Sequence, residues 1–335
     1  MTIGPIAQGG VDLDVTSLET LSNDLAWKDF SMNKLRPAMA TIANKIDYDG
    51  LGLYQDVPNW VGTAGTTPAT ALALLQAQQK MDEMGAPRDG QRYLCVDPAA
   101  NAALVDGLKG LFHSAGPVSE QFRMGLMANN VLGYREIGMD QNVRKHIGGA
   151  QAGTPLVNGA TQTGSTLSVD GWTASTTLTK GTVFTIAGVY AVNPQNRAST
   201  GSLQQFVITA DTTATGGGAT ATLPIFPAIT TSGAFQTVTG SPADNAAITL
   251  VTRSSSSSAG GDPQSLAFHR DAFTLAMVDL PIPGGVHYAA RKVYNNLAMR
   301  VVSGYDITND KMIMRFDVAY AWETLYGELA CRVSG

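Results

Sequence analysis

The stretch between residues 148 and 261 constrains the fold of this chain most, because its composition differs abruptly from that of both flanks. Gly, Thr, Ser and Ala dominate it, helical periodicity is almost absent, and short runs alternate between apolar and polar residues. Such runs indicate short strands separated by turns. The sequence therefore predicts a small all-β unit, a barrel or a sandwich, inserted into another fold. The predicted strands include residues 166–169, 182–189, 206–209, 220–225 and 247–251.

A period of two near the N-terminus predicts another strand. Val11, Leu13 and Val15 alternate with polar residues, as in a strand that exposes one face. Because a lone strand is not stable in water, this one needs a partner. Either another segment or subunit pairs with it, or its partner belongs to upstream sequence that is absent from this chain.

From about residue 22 the apolar spacing becomes helical. Apolar residues recur at steps of three, four and seven, which places them on one face of a long helix. They are Leu25, Met32, Leu35, Met39, Ile42 and Ile46. Pro37 has no amide proton, so it must kink this helix or begin a second one. We expect a bent or restarted helix that ends near Tyr54.

Helical and strand patterns alternate between residues 67 and 147, which predicts a mixed α/β part. A second helix opens at Thr67-Pro68 and stops at Gly85 and Pro87. Its predicted apolar face carries Leu72, Leu75, Gln79 and Met84. A buried strand over residues 93–96 and a helix over residues 101–111 follow, and residues 124–133 form a further helix or a strained loop.

The end of the chain is rich in strand patterns. Residues 253–261 contain five consecutive serines and are predicted to be a flexible connection that returns from the β unit. Strands are predicted over residues 272–280, 297–302, 312–316 and 326–333. Residues 281–285, with two prolines, end the first of them, and turns are predicted at Ser303-Gly304 and at residues 308–310.

Charge and cysteine content argue against several protein classes. The formal net charge is -5 and the pI about 5.3, whereas binding to a phosphate backbone needs a basic surface. Cys95 and Cys331 have no CxxC spacing, so we expect two buried free thiols in a chain that folds in a reducing cytoplasm. No apolar run is long enough to span a bilayer and no signal peptide is recognisable, so we expect a soluble protein without a membrane partner.

No motif predicts catalysis, a cofactor or a metal. The four histidines lack HxH or HExxH spacing, and structural or surface roles are expected for all of them. They are His113, His146, His269 and His287. The glycine run at residues 216–218 lies inside the β unit, away from any strand-to-helix turn, and is predicted to be a mobile loop tip.

Two groups of opposite charge are candidates for contacts between subunits, although a solvated face explains them as well. The acidic group comprises Asp12, Asp14, Glu19 and Asp24, and the basic group comprises Lys109, Arg123, Arg135, Arg144 and Lys145. Exposed ion pairs contribute about 0 to 1 kcal/mol each. If these groups pair between subunits, assembly is expected to depend on salt.

Several long strings resemble the coat proteins of tailed phages, most closely the branch typified by phage P22. The string from Lys28 to Ile46 resembles the spine helix of that family, and residues 106–112 resemble its axial lobe. Residues 268–283 resemble the re-entry from an inserted domain, and residues 315–332 resemble the closing strands. The resemblance covers nearly the whole chain.

This resemblance implies an α+β chain with the Johnson fold of tailed-phage shells. Residues 1–20 would be the returning strand of an extended loop. Residues 21–87 and 286–335 would form a peripheral domain with the spine helix, and residues 88–147 and 262–285 an axial domain. Residues 148–261 would be an inserted β-barrel domain. Family members begin with an N-terminal arm and an outgoing strand, which favours the upstream explanation for the unpaired first strand.

The resemblance also implies a function. The chain would be a major capsid protein, not an enzyme, whose copies assemble as hexamers and pentamers into an icosahedral shell. Its partners would be copies of itself, a scaffolding protein, a portal protein, and packaged double-stranded DNA held without sequence readout. Assembly would take place in the bacterial host cytoplasm, and the protein would reside in the virion capsid.

Two alternatives share parts of this interpretation. An encapsulin-like nanocompartment would use the same fold without phage DNA. A glycan-binding or host-binding β unit displayed on a particle would need its aromatic residues to line one face. Those residues are Trp172, Phe184, Tyr190, Phe206 and Phe226.

Overall fold

The computed structural model describes residues 6–16, 35–107, 125, 130–216, 220–253, 261–294 and 297–335. Two compact units divide the chain. The first comprises Met1–Leu51 and Thr274–Glu323, and the second comprises Gly52–Phe273 and Thr324–Gly335. The chain combines a few helices with many, mostly antiparallel, strands, which agrees with the predicted α+β class. The four-part division predicted from the sequence is finer than these two units and stays a prediction.

In the second unit, six strands close into a β-barrel, one of the two architectures predicted. They are β6 (Gly153–Val157), β7 (Gly164–Trp172), β9 (Val183–Val192), β10 (Ser199–Ile208), β12 (Ala221–Ile229) and β13 (Ile248–Leu250). Their order is β13-β9-β10-β12-β7-β6. A bridge between Leu156 and Ala247 joins the two ends, and the Val157 amide donates to the Ala246 carbonyl at 3.0 Å. All five strands predicted in this stretch are confirmed.

The interior of the barrel is filled by apolar side chains from alternate positions of its strands. Along β12 the burial follows a period of two, with Ala221, Leu223 and Ile225 inside. Phe184 and Phe206, on neighbouring strands, stack at the centre with ring centroids 5.7 Å apart. Two short strands, β8 (Thr177–Leu178) and β11 (Thr212–Thr213), pair beside the barrel. The alternation of apolar and polar residues along each strand therefore places one set of side chains inside the barrel and the other set outside.

The second unit contains a further sheet with mixed strand directions, in the order β2-β20-β15-β3-β4. The strands are β2 (Trp60–Val61), β3 (Arg92–Val96), β4 (Glu136–Met139), β15 (Ser265–His269) and β20 (Ala330–Val333). Helices α2 (Ala71–Glu83) and α3 (Pro98–Gly107) supply apolar residues to the core shared with this sheet. Strands β5 (Lys145–His146) and β14 (Asp262–Pro263) form a short antiparallel pair at the two ends of the barrel segment.

The face that α2 buries differs from the predicted one. Leu72 and Leu75 are 61% and 46% exposed, whereas Leu74 and Met81 are fully buried. Ala73 and Ala77 are buried beside them. The prediction was wrong because the helix turns a different side toward the core, and that side includes the small residues Ala73 and Ala77.

The first unit is a five-stranded antiparallel sheet that packs on helix α1 (Arg36–Leu51). Its strands are β1 (Ala7–Thr16), β16 (Phe273–Val278), β17 (Tyr288–Tyr294), β18 (Leu297–Asp306) and β19 (Lys311–Thr324). Ile42 and Ile46 of the helix contact Phe316 and Val318 of β19. The Trp322 indole, whose Nε1 donates to the Ile46 carbonyl at 2.9 Å, leaves no room for a side chain at Gly50.

Pro37 lies in the first turn of α1, which begins at Arg36. There its missing amide proton costs nothing, because the first amides of a helix have no partner within it. A 3-10 turn over Gly52–Asp56 follows α1, so the helical stretch ends near Tyr54 as predicted. The predicted helix over residues 22–34 lies outside the described residues.

Strand β1 has a partner within this chain. It pairs antiparallel with β19 along its whole length, from Ala7 opposite Tyr320 to Thr16 opposite Lys311. The upstream explanation for a missing partner was therefore wrong for this edge, and the alternative explanation, another segment of the chain, is confirmed. The paired residues are about 300 positions apart in the chain, so no local sequence pattern predicts that these two strands pair.

Two further predictions for the C-terminal part need correction. Ser303 and Gly304 lie inside β18 and do not form a turn, whereas the turn at residues 308–310 is confirmed. The last strand is shorter than predicted, because a 3-10 turn occupies Gly327–Leu329. It pairs with β15 and β2 of the second unit.

Candidate assembly surfaces

A buried arginine joins the barrel to the sheet of the second unit. Arg332, on β20, is fully buried, and its Nη1 donates to the Gly181 carbonyl at the start of the barrel at 2.7 Å. Its guanidinium lies over the rings of Tyr54 and Trp60, 5.2 and 5.7 Å from their centroids. Burial lowers the pKa of Arg332 to about 10. The aromatic faces partly replace the lost water, as expected of cation–π contacts.

Polar side chains extend this junction by bonding to backbone groups. The Gln205 side chain of β10 accepts from the Trp60 amide at 2.8 Å and donates to the Trp60 carbonyl at 2.9 Å. The Asn59 side chain donates to the carbonyls of Glu328 and Ala330, both at 2.9 Å. Lys180 forms an ion pair with Asp56 at 2.8 Å. The barrel is thus fixed to the sheet by directional bonds, which set its orientation.

His146 belongs to the same buried region. Its Nδ1 forms a hydrogen bond with the Tyr54 hydroxyl at 3.2 Å, and Thr182 lies 3.5 Å from its Nε2. Burial, followed by the charge of Arg332, lowers the pKa of His146 to about 3. The imidazole is therefore neutral at pH 7. The histidine has the structural role that the sequence predicted.

An open groove of about 490 Å³ runs beside this junction, between the barrel and the C-terminal segment. Two large apolar side chains of its lining are exposed, Phe235 in a barrel loop and Tyr326, at 87% and 59%. Further apolar residues line it: Pro58, Met84, Val192, Pro194, Phe226, Pro227, Ala228, Ala234 and Leu329. An exposed apolar surface of this kind is typical of a contact site for another protein.

A charged network lies on the sheet of the first unit. The Asp317 carboxylate is almost fully buried and accepts from Arg300 Nη2 at 2.6 Å and from Arg315 Nε at 2.7 Å. Burial alone would raise the pKa of Asp317, but these two hydrogen bonds outweigh it and the pKa is lowered. Arg315 also lies 3.5 Å from Asp12 of β1. A shallow pocket of about 440 Å³ opens above the network.

The other residues singled out in the sequence have ordinary surroundings. His269 is buried, with its Nε2 3.1 Å from Asp89, whereas His287 is exposed. Cys331 is buried and Cys95 only half-buried, and the two do not form a disulfide with each other. Arg135 donates to Gln91 at 2.7 Å. Residues Glu19, Asp24, Lys109, His113, Arg123, Gly217 and Gly218 lie outside the described part of the chain.

The aromatic residues of the barrel do not line one exposed face. Trp172, Phe184 and Phe206 are buried in its core, and Phe226 is half-buried. Tyr190 alone of this set is substantially exposed. A glycan-binding platform needs several aromatic faces in water, so this arrangement does not favour the host-binding alternative.

Within the described ranges, no group of His, Cys, Asp or Glu residues is arranged to hold a metal ion. None of the described helices is long and apolar enough to cross a membrane. The predicted absence of catalytic, cofactor-binding and metal-binding residues stays a prediction.

The sequence interpretation missed Arg332 and Phe235. A lone arginine inside the apolar run Ala330–Val333 and a lone phenylalanine in the polar loop at residues 230–240 were the available signals. Both break the local pattern, and both are placed where segments distant in the sequence meet.

Comparison with known proteins agrees with the resemblance found in the sequence. The profile of the family described as "P22 coat protein - gene protein 5" matches residues 57–331. None of the curated proteins matches this chain.

Similar solved structures come from phage particles. The structure of Mycobacterium phage Che8 is 10% identical, with a TM-score of 0.42 over 97% of this chain and 70% of that chain. The capsid of cyanophage P-SCSP1u is 11% identical, with a TM-score of 0.40 over 97% and 71%. The CUS-3 coat protein I-domain is 23% identical over 31% of this chain and 100% of its own, with a TM-score of 0.23.

These structural similarities are too weak to carry an argument, so the assignment rests on the family profile. The profile spans most of the chain, including the barrel and both strands that flank its insertion, β5 and β14. The chain therefore belongs to the P22 coat protein family, and it is a major capsid protein that forms the shell of a tailed phage.

Proposed function

We propose that this chain acts by self-association alone, as hexamers and pentamers of an icosahedral shell around double-stranded DNA, and that it catalyses no reaction. The observation that carries this proposal is the membership in a coat protein family together with exposed apolar side chains on both units. On the first unit these include Ile282, Tyr288 and Ile307, and on the second Phe235 and Tyr326. Exposed apolar surface of this extent favours contact with other protein.

Weak contacts suit this role. The described ion pairs on the surface, such as that of Arg315 with Asp12, lie in water and contribute about 0 to 1 kcal/mol each. Weak contacts allow an incorrectly placed subunit to dissociate before the shell closes. Stability then comes from the number of repeated contacts in the closed shell.

The proposed partners are those that the resemblance implies. A scaffolding protein would guide the copies, a portal protein would occupy one vertex, and the packaged DNA would be held without sequence readout. The net charge of -5 supports the last point, because proteins that read DNA bases usually carry a positive net charge. Assembly would take place in the bacterial host cytoplasm, and the finished protein would be part of the virion.

The proposed parts have separate roles in the shell. Residues 1–20 would belong to an extended loop, residues 21–87 and 286–335 to a peripheral domain, and residues 88–147 and 262–285 to an axial domain. The barrel, residues 148–261, would aid folding and stabilise its neighbours. The short pair β5–β14 supports its treatment as an insertion, because it brings the two ends of the barrel segment together.

Electron microscopy and sedimentation of the purified full chain, expressed with and without a scaffolding protein of a related phage, test the proposal. We expect shells, or extended lattices without the scaffold. A chain that stays monomeric at high protein concentration under both conditions would contradict it.

A matched variant tests the role of the barrel. Replacing residues 148–261 by a short Gly/Ser linker is expected to reduce the yield of folded protein strongly, because Arg332 loses the Gly181 carbonyl and Trp60 loses the Gln205 side chain. Normal folding and assembly of this variant would contradict the proposed role of the barrel and leave the proposed self-assembly intact.

A further inference from the structure

The groove beside the barrel contains one charged residue among its described lining, Glu328. Its carboxylate makes no hydrogen bond or ion pair within the described part of the chain. Phe235 and Tyr326 are the most exposed of the aromatic side chains that line the same groove. The groove therefore offers apolar surface and a single uncompensated negative charge.

Leaving such a surface in water is unfavourable. Phe235 is 87% exposed, so nearly all of its apolar area stays hydrated. Burying apolar surface gains about 25 cal/mol per Å². Large aromatic residues that enter a pocket of a partner are the usual anchors of protein interfaces. Both observations indicate an occupant that is apolar and carries a positive charge.

Strand β17 of the same chain has these properties. It is an edge strand of the first unit, paired with β18 on one side alone within the described residues. Tyr288 and Lys292 are four positions apart and share one face, and Leu297 joins that face because it lies opposite Tyr294. Tyr288 and Leu297 are 56% and 42% exposed.

The charge on this face is also uncompensated. Lys292 is exposed, and its ammonium group makes no ion pair within the residues that the structure describes. The neighbouring Arg291 points to the opposite face, where it lies 3.7 Å from Asp279. The face thus presents a tyrosine, a lysine and a leucine, which complement a groove lined by one acid and by exposed aromatic residues.

We propose that the groove of one subunit binds strand β17 of a second subunit, with Lys292 paired to Glu328 and with Tyr288 and Leu297 packed on Phe235 and Tyr326. This inference rests on the proposed self-assembly and adds the surfaces that meet. Because groove and strand are different parts of one chain, the contact is heterologous. Contacts of this type repeat around a ring and build closed capsomers.

Charge reversal tests the pairing. Lys292→Glu and Glu328→Lys are expected each to raise the protein concentration needed for assembly about tenfold, because like charges then meet in a contact that excludes water. The double variant restores opposite charges and the original net charge, and it is expected to assemble close to the wild type. Arg197→Glu, an exposed barrel residue, is the control for net charge and is expected to assemble normally.

Sedimentation velocity measures assembly, and circular dichroism checks that each variant is folded. The inferred contact would be overturned if the single variants assembled like the wild type, or if the double variant assembled no better than the single variants. Shells formed by the wild type would still support the proposed function in either case. A wild type that forms no assemblies would overturn both. Phe235→Ser is a second test that changes no charge, and it is expected to weaken assembly without changing the unfolding midpoint.

Discussion

The barrel and the sheet of the first unit use apolar residues in opposite ways. Among the described residues, the barrel core contains seventeen buried apolar side chains and two partly buried ones. The core of the first unit contains five buried apolar residues and eleven partly buried ones. A closed barrel has an inside that excludes water on every strand, whereas an open sheet covered by one helix leaves much of its surface in contact with solvent.

This difference separates folding from association. The barrel buries its apolar residues against one another and resembles an independently stable domain. The first unit keeps large apolar residues in water, among them Val278, Ile282, Tyr288, Val293, Leu297, Tyr305, Ile307 and Ile313. We infer that the barrel contributes mainly to the stability of the subunit. The exposed apolar surface of the first unit is then available for contacts with other subunits.

The largest effect is expected from a cavity in the barrel. Phe206→Ala removes a fully buried ring that stacks on Phe184, and we expect it to lower the free energy of unfolding by about 3 to 5 kcal/mol. Met314→Ala, at a half-buried position of the first unit, is the matched comparison and is expected to cost about 1 to 2 kcal/mol. Chemical denaturation of both variants measures the difference. Equal losses in the free energy of unfolding would contradict the proposed difference between the barrel core and the core of the first unit.

The attachment of the barrel is tested at Arg332. Arg332→Ala leaves a cavity beside Tyr54 and Trp60 and is expected to lower the free energy of unfolding by about 2 to 4 kcal/mol. Arg332→Met fills most of that space without burying a charge. Since Nε and Nη2 of Arg332 have no partner among the described residues, we expect Arg332→Met to cost much less. Equal losses in thermal unfolding would mean that the hydrogen bond to Gly181 dominates.

In the first unit the buried carboxylate is expected to matter more than the exposed one. Asp317→Asn weakens the hydrogen bonds from Arg300 and Arg315, and we expect a loss of about 1 to 3 kcal/mol in the free energy of unfolding. Asp12→Asn removes an exposed ion pair to Arg315 and is expected to cost less than about 1 kcal/mol. Urea denaturation of the two variants measures both losses. A larger loss for Asp12→Asn than for Asp317→Asn would contradict the expectation that the buried carboxylate contributes more to stability.

Acid is expected to act at the barrel junction through His146. Because its pKa is lowered in the folded state, to about 3 from an ordinary value of 6.5, unfolding takes up a proton between these two values. The contribution to stability is complete above pH 6.5 and is lost as the pH falls. Between pH 6 and pH 5 we expect the free energy of unfolding to fall by about 1 kcal/mol from this group.

The control for that measurement is His146→Gln, which does not titrate. Between pH 6 and pH 5, the free energy of unfolding of this variant is expected to fall by about 1 kcal/mol less than that of the wild type, because the contribution of His146 is missing. Identical pH profiles for the two proteins would show that His146 does not carry the acid response.

The sequence was most informative where a pattern repeats along one segment. Alternation identified the barrel strands, because each strand buries every second residue against the same interior. It was less informative for α2, where apolar residues occur on several faces. There the choice of Leu74 and Met81 over Leu72 and Leu75 depends on which side meets the sheet. The mixed sheet of the second unit, built from strands far apart in sequence, left no comparable pattern.

Most of the candidate surfaces could not be predicted from the sequence. The acidic and basic groups were recognisable, but the groove joins a barrel loop at Phe235 to C-terminal residues such as Tyr326 and Glu328. These segments are about ninety residues apart, and a surface made from two loops has no periodicity. Likewise, nothing local distinguishes Arg332 from an exposed arginine on an edge strand.

By itself, the sequence determined the α+β class, the β-strands between residues 148 and 261 and, through long strings, the coat protein family. These properties follow from local spacing and turn chemistry, which each segment carries alone. The tertiary structure alone decided that β1 pairs with β19, that the final strand joins the second unit, and that Arg332 is buried under the barrel. Such pairings depend on which surfaces meet after the chain folds back on itself, and burial is a property of the meeting surfaces and not of any one segment.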